Sequence, residues 1–255
     1  MAEFTSYEPG TPCWVDLGSP DLDASRAFYG TLFGWEAQVS PDPAAGGYTI
    51  LTLRGRAVAG LGPLFGEGQR PSWSTYVRVA DADATAEAVR AAGGSVLAPP
   101  MDVFDMGRMA VFGDSGGAAV SVWQPGTFAG AELANEPGSF SWNELDTRDL
   151  AAARAFYPAV FGWTLDEAAQ AGPMEYYTWQ VAGRPVAGMM PMPPTVPADT
   201  PSLWLAYFAV ADTDAALARI TELGGATLTG PVDIPAGRFA VVAGPHGEAF
   251  AIIAQ

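Results

Sequence analysis

Residues 21–35, DLDASRAFYGTLFGW, return at residues 149–163 as DLAAARAFYPAVFGW. Each copy opens on an aspartate and closes on Gly34 or Gly162, suited to stop a helix. In the first copy Leu22, Tyr29 and Leu32 share one helical face with the small Ser25, and Phe28 flanks it. The pair of segments predicts one helix in each half of the chain, built to the same plan.

The match extends well beyond the helix. With a shift of 128 residues Trp14 falls on Trp142, Tyr48 on Tyr176, and Val58-Ala59-Gly60 on Val186-Ala187-Gly188. The shift then becomes 131, which pairs Trp73 with Trp204, Tyr76 with Tyr207 and Gly93-Gly94 with Gly224-Gly225. Near the end it is 130, pairing Gly107-Arg108 with Gly237-Arg238. Repeats this long, with insertions, are duplicated domains and not solenoid units. The expected division is residues 1–126, a linker at 127–137 that holds Pro137, and residues 138–255.

Each half divides again. Residues 12–17, PCWVDL, alternate and read as a strand before the first helix. Tyr48–Leu53 and Ala57–Leu61 read as strands around a turn at Arg54-Gly55-Arg56. Then the order restarts: strand Ser74–Val79, helix Asp81–Ala92 closed by Gly93-Gly94, and strands Met109–Phe112 and Ala118–Trp123. The expected class is α+β, with two βαβββ units per half forming curled mixed sheets and helices on the outer face.

Composition narrows the function. Of 255 residues 49% are hydrophobic and 16% charged, enough apolar material for a packed core. The net charge is −16 and the pI about 4.2; apart from His246 every basic residue is arginine. This argues against nucleic acid and anionic membranes as partners, and excludes lysine chemistry. No run of roughly 18 apolar residues spans a membrane, and the N-terminus lacks a signal-peptide pattern. The expected location is cytoplasmic. Cys13 is the only cysteine and reads as a buried small hydrophobe, with a nucleophile as the alternative. His246, the only histidine, reads as an exposed turn residue.

The pattern D-L-x-x-[SA]-R-A-F-Y…F-G-W, the Gly-Gly helix stops, and the turns Asp114-Ser-Gly-Gly117 and Gly244-Pro-His-Gly247 resemble the vicinal-oxygen-chelate superfamily. That superfamily includes glyoxalase I, bleomycin-resistance proteins and extradiol dioxygenases. More narrowly the chain resembles two-domain actinobacterial glyoxalase-like proteins labelled hydroxylases, some encoded with antibiotic-biosynthesis enzymes. The resemblance implies paired βαβββ units and a concave cavity. In metal-dependent members the ligands are His, Glu or Gln on the first and last strands of each unit. Those positions fall here on Trp14, Gly60, Ser74 and Ser121, and on Trp142, Gly188, Leu205 and Ala251. None is an imidazole or carboxylate, so the expected metal is none and the expected cofactor is none.

Residues two apart on a strand share a face. If Trp14 and Trp142 face the cavities, so do Asp16 and Glu144. Ser74, Tyr76, Arg78, Ser121 and Trp123 then complete the first cavity, which is polar. Met190, Met192, Leu205, Tyr207, Ala209, Ala251 and Ile253 complete the second, which is apolar. Asp16, Glu144, Tyr76 and Tyr207 are the candidate acid–base groups. The bland alternative for the two carboxylates is a structural bond to Arg78, Arg56 or Arg184. Trp35 and Trp163 read as core. The expected function is metal-independent binding of an aromatic or polyketide-like metabolite, in antibiotic biosynthesis or resistance. Two alternatives are a cofactor-free lyase, isomerase or cyclase and a non-catalytic protein-interaction module. The expected assembly is a monomer with pseudo-dimeric halves, or a homodimer.

Overall fold

A computed structural model describes residues 4–64, 66, 68–166 and 175–255. The first half runs β1 (Pro12–Ser19), α1 (Leu22–Phe33), β2 (Glu36–Val39), β3 (Thr49–Leu53), β4 (Arg56–Pro63), β5 (Ser72–Arg78), α2 (Ala82–Ala91), β6 (Ser95–Val103), β7 (Gly107–Gly113) and β8 (Ala119–Pro125). The second half repeats it: β9 (Phe140–Thr147), α3 (Leu150–Phe161), β10 (Thr164–Asp166), β11 (Tyr177–Val181), β12 (Arg184–Pro191), β13 (Leu203–Ala209), α4 (Thr213–Glu222), β14 (Ala226–Ile234), β15 (Gly237–Ala243) and β16 (Ala249–Ala254). Each half forms one eight-stranded mixed sheet, ordered β2-β3-β4-β1-β5-β8-β7-β6 and β10-β11-β12-β9-β13-β16-β15-β14.

The repeated segment folds as its ends dictate. Asp21 accepts a hydrogen bond from the Ala24 N–H, and Asp149 from the Ala152 N–H, both at 2.9 Å. Gly34 and Gly162 end the helices in left-handed geometry, with φ of 74° and 68°. There an L side chain is strained. The buried face of α1 is Ser25, Phe28, Tyr29 and Phe33, whereas Leu22 and Leu32 are only half-buried. The expected face is therefore rotated. The cause is that α1 packs on the other half of the chain as well as on its own sheet.

That crossing is general. One core cluster joins Trp14, Tyr29, Trp35 and Trp73 of the first half to Phe208, Phe250 and Ile252 of the second. Another joins Val77, Phe112 and Val122 to Tyr157, Trp163 and Trp204. The signature tyrosines close the seam. Tyr29 donates to Glu248 and Tyr157 to Asp114, each at 2.8 Å. The indoles of Trp35 and Trp163 donate at 2.6 Å to the Gly138 and Gly10 carbonyls, again across halves. The sequence motif therefore marks the contact between halves and not the sheet faces that carry the candidate site residues.

Two strands escaped the sequence reading. All four residues of β2 are exposed, and β6 carries Pro99 and Pro100 at a sheet edge. Neither shows the apolar alternation of a half-buried strand. Cys13 is fully buried, and burial pushes its thiol far up, which suits packing and not nucleophilic attack. His246 is half-buried, not exposed. Among the described residues no helix is long and apolar enough to cross a membrane.

Candidate functional site

The strands at the centre of each sheet bring the candidate carboxylates onto one level. In the first half Asp16 lies opposite Gly60 on β4 and opposite Ser74 on β5. Trp14 lies one pleat along, opposite Tyr76, which itself pairs with Ser121 on β8. The second half repeats the register: Glu144 is level with Gly188 and Leu205, and Trp142 with Tyr207 and Ala251.

Both carboxylates are held by phenols. Asp16 accepts from Tyr76 at 2.9 Å and from Tyr48 at 3.1 Å, both on one oxygen. Glu144 accepts from Tyr207 at 2.8 Å, and Tyr176 stands beside it as a second donor. The indoles of Trp14 and Trp142 donate in turn to Tyr48 and Tyr176, at 3.2 and 2.8 Å. The alternative of a bond to arginine fails. Arg56 pairs with Glu132, Arg184 is exposed at the start of β12, and buried Nε of Arg78 has no hydrogen-bond partner.

Tyr48 and Tyr176 were visible in the sequence only as matched residues of the repeat. Their hydroxyls sit against Gly60 and Gly188, in the space a Cβ would need. Those glycines occupy two of the positions where the resemblance places metal ligands. A ligating side chain there would collide with the phenol. What remains on each level is a carboxylate hydrogen-bonded to two phenols, with no imidazole. Burial holds all four tyrosines well above the usual phenol range, so they are donors and not phenolates. The donor set does not fit the zinc, iron or manganese sites that His, Glu and Gln build. Among the described residues no group of three or more His, Cys, Asp or Glu side chains is arranged to hold a metal ion.

The halves differ in what surrounds the carboxylate. In the first, Trp14, Tyr76, Ser121 and Trp123 are buried and Ser74 and Arg78 half-buried. The face is covered by Phe128, whose ring meets Trp14 edge-on at 4.9 Å and Trp123 at 6.1 Å. The Trp123 indole donates to the Phe128 carbonyl at 2.8 Å, which fixes the cover. Burial raises Asp16 to about 6, while hydrogen bonds from Tyr76, Tyr48 and Ser74 pull it back.

In the second half Leu205 and Met192 are buried and Trp142 and Met190 half-buried. Sequence reasoning missed Asp146. It lies two residues beyond Glu144 on the same face of β9, opposite Met190 and Leu203. Its counterpart in the first half is Gly18. Burial raises Asp146 to about 8, and the neighbouring Glu144 charge pushes the same way. Glu144 is raised too, by burial first. The two buried carboxyl groups are hydrogen-bonded to each other, and loss of a proton from one disfavours its loss from the other.

Comparison with known proteins agrees with this scaffold. The profile of the Glyoxalase/Bleomycin resistance protein/Dioxygenase superfamily matches residues 13–122 and 140–252, and the chain belongs to that family. It is 42% identical over 264 residues to the anthracycline biosynthesis protein DnrV of Streptomyces peucetius, covering 98% of this chain and 95% of that one. It is 41% identical over 260 residues to protein CFP32 of Mycobacterium tuberculosis (strain CDC 1551 / Oshkosh), covering 99% and 98%. Among solved structures, the Mn(II)-bound glyoxalase from Novosphingobium aromaticivorans superposes with a TM-score of 0.67 at 19% identity, over 96% of this chain and 82% of that one. The 2,2',3-trihydroxybiphenyl 1,2-dioxygenase of Sphingomonas wittichii RW1 gives 0.66 at 16% identity, over 97% and 91%. At such identities the structural likeness speaks for the fold alone.

Proposed function

We propose that this protein binds an aromatic or polyketide-like metabolite on the concave faces of its sheets and does so without a metal ion. The observation that carries the reading is the pair of tyrosine hydroxyls seated against Gly60 and Gly188. They replace metal-ligand positions with neutral hydrogen-bond donors and leave indole and phenol surfaces on both faces. Such groups combine a flat apolar body with a polar tip, which suits an oxygenated ring system. The likeness to an anthracycline biosynthesis protein supports a guest of this class.

The test is titration of the purified protein with 1,4-dihydroxyanthraquinone, followed by the dye's own fluorescence. Saturable binding weakened at least several-fold by Trp142→Leu supports the reading, because one stacked ring contributes about 0.5–1.5 kcal/mol beyond area burial. Absence of saturable binding overturns it.

A cofactor-free lyase, isomerase or cyclase is the second reading. It is favoured by Asp146, a buried carboxyl that burial and the neighbouring Glu144 charge push toward its protonated form. Product formation from a bound guest, lost on the order of 10²–10⁴-fold in Glu144→Gln with affinity retained, would select it over binding alone.

A further inference from the structure

Glu144 and Asp146 are two buried acids without a cation among the described residues. Glu144 is 4% exposed and Asp146 9%. Among the described residues neither forms an ion pair; the arginines that do so meet other acids. Arg148, two residues beyond Asp146, is committed to the Pro197 and Thr200 carbonyls at 2.6 and 2.7 Å. Glu144 is at least satisfied by the Tyr207 hydroxyl. Asp146 is only partly so: it is hydrogen-bonded to Glu144, but its Oδ1 is buried and has no hydrogen-bond partner. A buried polar atom left unpaired is costly, and a buried carboxylate more so. The first half carries no such debt to solvation, since Gly18 stands at the matching position with Leu64 and Gln69 packed beside it.

The walls of this face add to the point. Trp142, half-buried, lies one pleat from Glu144, and Met190 lies opposite Asp146. Among the described residues the titratable groups facing the pair are Tyr176, at the entry to β11, and Tyr207 on β13, both protonated donors. An ammonium group would meet two carboxylates and an indole face, the surroundings in which organic cations bind best.

We propose that the second concave site takes an organic ammonium ion borne on an aromatic guest, held between Glu144 and Asp146 with Trp142 alongside. The proposal rests on the guest-binding reading above and names the charge that the guest carries. Binding displaces the proton that the two acids share, so affinity rises as the pH is raised from 6.5 to 8.5. The first concave site, with Asp16 met by hydroxyls, has no such preference.

The experiment is isothermal titration of the full chain with 2-naphthylmethylammonium and with its neutral counterpart 2-naphthalenemethanol, at both pH values and in two buffers of different ionisation enthalpy. The expected result is a preference for the ammonium of about ten-fold or more at pH 8.5, with a proton released on binding at pH 6.5 and little release at pH 8.5, where the pair has already lost it. Asp146→Asn and Asp146→Gly, the latter restoring the first half's residue, both remove the preference and the proton release while the alcohol still binds. Circular dichroism confirms that the variants fold, and either folded variant suffices. Equal affinity for the two compounds, or a preference that survives both variants, overturns the ammonium assignment and leaves guest binding standing. Failure of both compounds to bind overturns guest binding and the ammonium assignment together.

Discussion

The two candidate faces share a register and differ in how their acids are satisfied. Asp16 faces Tyr48, Tyr76 and Ser74, and Phe128 lies over the neighbouring indoles. Glu144 shares its face with Asp146, and Leu205, Ala209 and Ile253 stand where Ser74, Arg78 and Trp123 stand in the first half. One face has hydroxyls enough for its single carboxylate. The other has twice the acid and walls that cannot solvate it. Duplication kept the tyrosine-over-glycine arrangement in both halves while the surrounding charge balance diverged. The arrangement is therefore scaffold, and the second face is where a guest has most to supply.

The largest expected effect tests the shared part. In Gly60→Val and Gly188→Val the new side chain meets the Tyr48 or Tyr176 hydroxyl. Overpacking of this kind costs about 3 kcal/mol. Denaturant unfolding should show similar losses for the two variants, with Tyr48→Phe and Tyr176→Phe each recovering part of its partner's loss. A large loss in one half and none in the other would break the claim that the two faces are built alike.

The next effect separates the halves by pH. Both Asp16 and Asp146 titrate higher in the folded chain than unfolded, so the folded state holds protons that the unfolded state has released. Their contributions are complete below the unfolded value of 3.8 and are lost as pH rises, by about 6 for Asp16 and about 8 for Asp146. Asp146→Asn should therefore be more stable than the parent at pH 8.5, by on the order of 1–3 kcal/mol, and nearly equal to it at pH 4. Asp16→Asn should flatten the curve only below about pH 6. Parallel stability curves for the parent and Asp146→Asn from pH 5 to 8.5 would contradict the shared proton.

Most of the fold was legible because it was written twice. A helix pattern with Asp and Gly at its ends can be chance once, but not at the same place in two halves whose strands also match. The edge strands β2 and β6 were not legible, since exposed strands lose the apolar alternation that marks a buried face. At the site, alternation along β1 and β9 was enough to find Asp16 and Glu144. It found the wrong partners for them, because an acid inside a sheet suggests arginine, and the tyrosines that bind it arrive from other strands. Tyr48 lies 32 residues from Asp16 in sequence, and only the folded chain brings its hydroxyl over Gly60. Asp146 was legible by the same two-residue step that found Glu144. It was missed because the matching residue, Gly18, carries no side chain.

A smaller effect concerns the cover over the first face. Phe128 is half-buried, so Phe128→Ala should cost about 1–2 kcal/mol, less than a fully buried ring. It should also open Trp14 and Trp123 to solvent, seen as increased quenching of tryptophan fluorescence by iodide. If the variant gains a second anthraquinone site per chain, the two faces differ chiefly in access. If it loses stability without gaining a site, they differ in chemistry, and the second face alone is built for a guest.

The smallest expected effect is none. EDTA should leave the melting temperature of the purified protein unchanged, and elemental analysis should find no stoichiometric transition metal. A bound ion stabilises the folded state by mass action, so its removal from a site with micromolar or tighter affinity lowers the melting temperature measurably. The two faces make this more than a control. Asp16 has one carboxylate among hydroxyls, a poor ligand set for any divalent ion. Glu144 and Asp146 offer two carboxylates, which hard cations accept. If EDTA destabilises the parent but not Asp146→Asn, the second face holds such an ion, and the contrast between the halves is one of metal against no metal. If the response persists in Asp146→Asn, the ion lies elsewhere and neither concave face explains it. An unchanged melting temperature in all three proteins — parent, Asp16→Asn and Asp146→Asn — leaves the contrast where the side chains put it, between an acid satisfied by its own tyrosines and a pair of acids that is not.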